Sequence, residues 1–125
     1  MLPIYCGNND LGQWVNKVGK YLREHIDGAY KIKFSPMTCD VTMRMYYQIP
    51  GQGDSLSEMQ FDINITSYQN KLRINITEIT VLEKTIGQII FQPDELNDLQ
   101  LVKKKVLARL KKAIEKEYSE YDFIY

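Results

Sequence analysis

A chain of 125 residues, 44% hydrophobic and 26% charged, has the size and composition of one globular domain that buries its own core. Its sixteen basic and sixteen acidic residues cancel, which excludes a global field steering the molecule toward nucleic acid, anionic membrane or acidic ligands and leaves such work to local patches. No run approaches the roughly 18 to 20 apolar residues of a membrane-spanning helix. The first residues lack the basic and apolar regions of a signal peptide, so the expected location is the cytoplasm. Cys6 and Cys39 stand singly, outside any metal or redox spacing, and are expected to be reduced thiols.

The first element follows Asn8, Asn9 and Asp10, three candidate N-caps. Leu11, Trp14, Val15, Val18, Leu22 and Ile26 then recur at intervals of three and four, which predicts an amphipathic helix. Asp27-Gly28 ends it, because glycine readily takes the left-handed conformation at the residue after a helix. Gly12 and Gly19 lie inside this helix, where each costs up to roughly 1 kcal/mol relative to alanine, and a close neighbour is the expected reason for them.

From Ala29 the period changes to two. Tyr30, Ile32 and Phe34 alternate with Lys31 and Lys33; Val41, Met43, Met45, Tyr47 and Ile49 alternate with Thr42, Arg44, Tyr46 and Gln48. The loop Pro50 to Asp54 interrupts, and Met59, Phe61, Ile63 and Ile65 then alternate with Gln60, Asp62, Asn64 and Thr66. The next run sets Leu72, Ile74 and Ile76 against Arg73, Asn75 and Thr77; the alternation slips near Glu78-Ile79, and a fifth, less regular run spans 86 to 91. Five strands joined by short turns predict an antiparallel meander, since parallel strands require crossovers of about a dozen residues or more.

The tetrapeptide Ile-Asn-Ile-Thr occurs twice here, at 63 to 66 and 74 to 77, and both copies fit the N-glycosylation pattern. That modification belongs to a secretory compartment. A two-residue loop at Gln69-Asn70 explains the repetition without it: Ile65 then faces Ile74, Ile63 faces Ile76 and Asn64 faces Asn75.

The last element opens at Gln92-Pro93-Asp94-Glu95, with proline suited to a first helical turn and acids near the positive end of the dipole. Leu96, Leu99, Val102, Val106, Leu110, Ala113 and Ile114 form its apolar stripe. A helix from 93 to about 118 would be roughly 39 Å long and would overhang a strand of ten residues. The expected fold is a single α+β domain over 1–125. It has an N-terminal helix, a five-stranded antiparallel meander and a long C-terminal helix, both helices on one face, and a short tyrosine-rich acidic tail from 118 to 125.

The segment 103 to 116 carries seven basic residues against one acid, Glu115. Most fall on the polar side of the helix, so Lys104, Lys105, Arg109, Lys111 and Lys112 form either a solvated face or an anion-binding face for phosphate or anionic lipid. The open sheet face would present Arg44, Tyr46, Asn64, Arg73 and Asn75. The tail, with Tyr121, Phe123 and Tyr125 alternating with acids, is expected to dock on its own domain or on a partner. His25, in the last turn of the first helix, complements the dipole.

No catalytic, cofactor-binding or metal-binding pattern is present in the sequence. The leading functional expectation is a non-enzymatic interaction or assembly protein, a homodimer or the companion of another protein, using the tail, the overhanging helix or the open face. The alternative is an anionic-surface binder, for nucleic acid or phospholipid, working through the basic helix. A third expectation is a small-molecule site between the sheet and its helices.

Overall fold

The computed structural model describes residues 8 to 124, with side chains described from Gly12 onward. Cys6, the three candidate N-caps, Leu11 and Tyr125 therefore lie outside the described side chains. Helix α1 spans Asn8–His25 and buries Val15, Val18, Leu22 and, just past its end, Ile26. Gly28 turns the chain back at φ +92°; a Cβ there would collide with the Arg44 carbonyl oxygen, so both the dihedral and the close approach require glycine.

Strands β1 (Ala29–Phe34), β2 (Thr38–Gln48), β3 (Ser57–Tyr68), β4 (Lys71–Glu78) and β5 (Lys84–Phe91) follow as an antiparallel meander in sequence order. The β3–β4 hairpin has the register its alternation predicts, with Ile63 opposite Ile76, Asn64 opposite Asn75 and Ile65 opposite Ile74. Gln69 and Asn70 both carry positive φ, 49° and 62°, as the tight two-residue turn demands. The covered face is mainly apolar: Val41, Met43, Met59, Phe61, Ile63, Ile65, Leu72, Ile74 and Ile76 are all buried.

Both helices lie on that covered face, α1 packing over β1, β2 and β3, and the second helix, α2 (Leu99–Glu117), over β5. The expected single helix from 93 onward is instead divided. Pro93–Asn97 is a 3₁₀ turn, and Asp98 leaves helical geometry at φ −119°, ψ 89° so that its carboxylate accepts the Leu101 amide hydrogen at 3.1 Å and caps α2. The cap shortens the helix to 19 residues, about 28 Å, whereas the 12 residues of β3 reach about 40 Å.

Two further departures come from strand pairing. The β1–β2 register shifts between Ala29 and Lys31, leaving Tyr30 as an extra residue whose ring lies under the Arg44 guanidinium at 3.8 Å, on the open side rather than with Ile32. The tail adds a short strand, β6 (Asp122–Ile124), which pairs antiparallel with Tyr46, Tyr47 and Gln48 on the edge of β2 beyond the reach of β1. The alternation of acids with Tyr121 and Phe123 is thus a strand signal.

Candidate functional site

The open sheet face is knitted together by its own side chains. Asn64, opposite Asp40, donates its amide to the Asp40 carboxylate at 2.8 Å; Gln88 donates to Asn75 at 3.0 Å; Thr77 and Thr85 bond at 3.1 Å. Arg73 lies over the Tyr68 ring at 4.5 Å, and Arg44 spans Tyr30 and the Glu58 carboxylate, the latter at 3.4 Å. Of the residues predicted to present an interaction surface here, Arg44, Asn64, Arg73 and Asn75 thus each have a partner within the fold, and Tyr46 stands exposed. Asp40 and Asp62 also meet on this face. Partial burial, the neighbouring Asp40 charge and the hydrogen bond that a protonated Asp62 donates to the Asp40 carboxylate push the Asp62 carboxyl up to about 7.

The tail is absorbed into the core. Tyr121 stacks on Tyr47 with centroids 4.7 Å apart, Phe123 packs on Tyr47 at 5.5 Å, and Tyr118 lies within 6.3 Å of both. Docking in cis therefore spends Tyr121 and Phe123 on packing.

Beneath them lies Glu78, a fully buried carboxylate that ends β4. Burial alone would raise its pKa, but amide hydrogens of Val81, Leu82 and Thr80 and the Tyr118 hydroxyl outweigh that cost and hold it at about 2. The alternation places residue 78 on the covered face; only the loop 79–83, folded back over it, supplies the donors that make a charge tolerable there.

The predicted anion-binding residues spread across the outward half of α2, opposite its buried stripe. Lys105 pairs with Glu95 at 2.9 Å and lies by Phe91; Arg109 lies across Gly87 of β5, close to where a Cβ would sit; Lys104 and Lys112 are exposed. Lys111 sits on the opposite flank, at the mouth of a cleft.

That cleft, about 470 Å³, opens between the C-terminal turn of α1 and the middle of α2, over the edge of β2. It exists because two strands share one edge and leave a gap: β1 pairs with β2 as far as Met43, and β6 begins only at Tyr46. Met43, Met45, Ile26, Leu107, Leu110 and Ile124 line it, with His25, Lys103 and Lys111 among its polar residues. Lys103, Leu107 and Lys111 recur every four residues and so share one flank of α2. This spacing was legible in the sequence, but nothing local indicated that the flank borders an opening.

Among the described residues no cluster of three or more His, Cys, Asp or Glu side chains is arranged to hold a metal ion. Cys39 is free and buried, and desolvation, with Asp40 and Asp62 nearby, pushes its thiol up to about 11, which suppresses the nucleophilic thiolate. No helix of the described residues is long and apolar enough to cross a membrane. No protein-family model matches the chain, and comparison with curated proteins and with solved structures finds no match.

Proposed function

We propose that this protein binds a small apolar or amphiphilic molecule in the cleft between α1 and α2. The observation that carries this reading is the cleft itself. Its volume of about 470 Å³ lies within the roughly 300 to 1,000 Å³ of small-molecule sites, and its walls are mainly aliphatic and thioether side chains with a few polar groups among them. Two of the surfaces on which an assembly role would rest are partly engaged within the fold: the tail pairs in cis with β2, and several polar side chains of the open face bond to one another.

The test is titration with N-phenyl-1-naphthylamine, a neutral probe that fluoresces in apolar surroundings. Saturable binding is expected in the parent, with loss in Leu107→Trp and Met45→Trp, whose larger side chains fill the space. Binding that survives both substitutions would remove the cleft as the site.

A second reading, protein interaction, is favoured by one feature. Loop 79–83 exposes Ile79, Val81 and Leu82 while its backbone is gripped by Glu78, so an apolar surface is held in a single shape. If a second copy docks there, light scattering will give a dimer mass that Leu82→Asp reduces to a monomer; a concentration-independent monomer eliminates self-association through this loop.

A further inference from the structure

We propose that the outer edge of β5 takes an extended acidic peptide, which adds a seventh strand to the six-stranded sheet and sets its carboxylates against the basic flank of α2. This edge lies on the side of α2 away from the cleft, and the proposal is independent of a ligand there.

β5 ends the sheet and pairs with β4 alone. Tyr68 and Lys71 flank the two-residue turn as a hydrogen-bonded pair, so parity points the backbone groups of Leu72, Ile74 and Ile76 toward β5, where Phe91, Ile89 and Gly87 meet them. Gln88 and Ile90 therefore direct their N–H and C=O groups away from the sheet, and among the described residues no backbone hydrogen bond reaches them there. Natural edges are blunted by bulges, charge or proline. A bulge and Lys84 protect the start of β5, yet residues 85 to 91 carry neither charge nor proline, and Ile90 is exposed.

Charge decides the occupant. Lys105, Arg109, Lys112 and Lys116 recur at intervals of four, three and four residues and so share one flank of α2, opposite the flank of Lys103 and Leu107 that borders the cleft. Contacts place this flank beside β5: Arg109 Cζ lies 3.3 Å from the point where a Gly87 Cβ would sit, Lys105 lies by Phe91, and Glu117, the residue after Lys116, pairs with Lys84. Glu95 answers Lys105 and Glu117 answers Lys84, whereas Arg109, Lys112 and Lys116 take part in none of the ion pairs among the described residues, with the exposed Glu115 as the acid between them. A strand paired to β5 runs about 4.8 Å from it, so its side chains on the α2 side come within reach of Arg109 and the intervening ones lie beside Ile90. The matching sequence alternates acids with apolar residues. A second copy paired through its own β5 fits less well, because antiparallel pairing brings the two basic flanks together on one side of the joined sheet.

The experiment is fluorescence anisotropy of the full chain at low salt with a short labelled peptide alternating glutamate with valine, its lysine counterpart, its fully N-methylated counterpart and a short oligothymidylate. The glutamate peptide is expected to bind at least about tenfold more tightly than the lysine peptide. Methylation, which keeps the side chains and removes every amide hydrogen, should abolish binding. Arg109→Gln combined with Lys116→Gln should lose the preference for glutamate, and Lys104→Gln should retain it. Ile90→Pro removes an outward N–H, leaves the β4 ladder intact and should also abolish binding; if it does not fold, the methylated peptide decides the same point in the parent. Retained binding of the methylated peptide overturns strand pairing, and equal affinity for the glutamate and lysine peptides overturns the acidic partner. Oligothymidylate bound as tightly as the glutamate peptide would make the flank a general polyanion site and overturn a peptide partner. A dimer that Ile90→Pro dissociates would give the edge to a second copy, and no binding of the glutamate peptide overturns the proposal outright.

Discussion

The Tyr118 hydroxyl donates a 2.8 Å hydrogen bond to the buried carboxylate of Glu78, joining the end of α2 to the end of β4 across 40 residues of chain. The same carboxylate holds the loop 79–83, and Tyr118 also packs against the aromatic rings of the tail. One buried acid therefore couples three separate pieces of the fold.

Replacing Glu78 with Gln keeps the shape but substitutes an amide NH₂ for one acceptor, setting donors against the loop amides. The expected loss is about 3 kcal/mol, as for other buried charged networks broken on one side. Tyr118→Phe removes a single donor and should cost about 1 kcal/mol. Urea denaturation of both variants and the double variant measures the coupling; strictly additive losses would show that the two groups do not act together.

Acid should weaken this node. With the Glu78 carboxyl held at about 2, below its ordinary 4.5, the folded state releases the proton more readily than the unfolded chain. Its stabilisation is complete above about pH 4.5 and is lost as pH falls toward 2.

Asp62 acts with the opposite sign. Raised from 3.8 to about 7, it binds its proton more tightly in the folded state, so stability falls as pH rises through that interval. Asp62→Asn should remove the fall, matching the parent near pH 4 and exceeding it at pH 8 by roughly 1 kcal/mol once solvent screening on the half-exposed face is allowed for. Melts between pH 4 and 8 would refute this if parent and variant ran parallel.

The two glycines of α1 should respond in opposite directions. A Cβ at Gly12 meets nothing within 4 Å, so Gly12→Ala is expected to stabilise by up to about 1 kcal/mol through helix propensity. At Gly19 a Cβ would collide with Cys39 Sγ, so Gly19→Ala should destabilise by about 1 to 3 kcal/mol. Adding Cys39→Ala removes the obstructing sulfur, and the double variant should recover part of that loss; no recovery would place the cost elsewhere.

Deleting residues 119–125 strips Tyr121 and Phe123 from Tyr47 and unpairs the end of β2. The expected result is a loss of about 2 to 4 kcal/mol from exposed apolar area, seen as an earlier urea midpoint. Unchanged stability on deletion would contradict cis docking of the tail.

The sequence by itself determined the periodic parts of this protein. Leu22 and Ile26 had to share a helix face with Val15 and Val18, and the isoleucines of β3 and β4 had to pair across Gln69-Asn70, because both patterns depend on residues a few positions apart and on the chemistry of one turn. The outward asparagines followed from the same parity, though their partners, Asp40 and Gln88, lie on other strands. Tertiary structure alone decided what depends on distant segments. It set the slip that carries Tyr30 to Arg44 and the break in which Asp98 caps α2. It paired β6 with β2 more than 70 residues upstream, and it surrounded Glu78 with donors. The cleft belongs to this second class, since a gap between the end of β1 and the start of β6 exists only once both have found the same edge of β2.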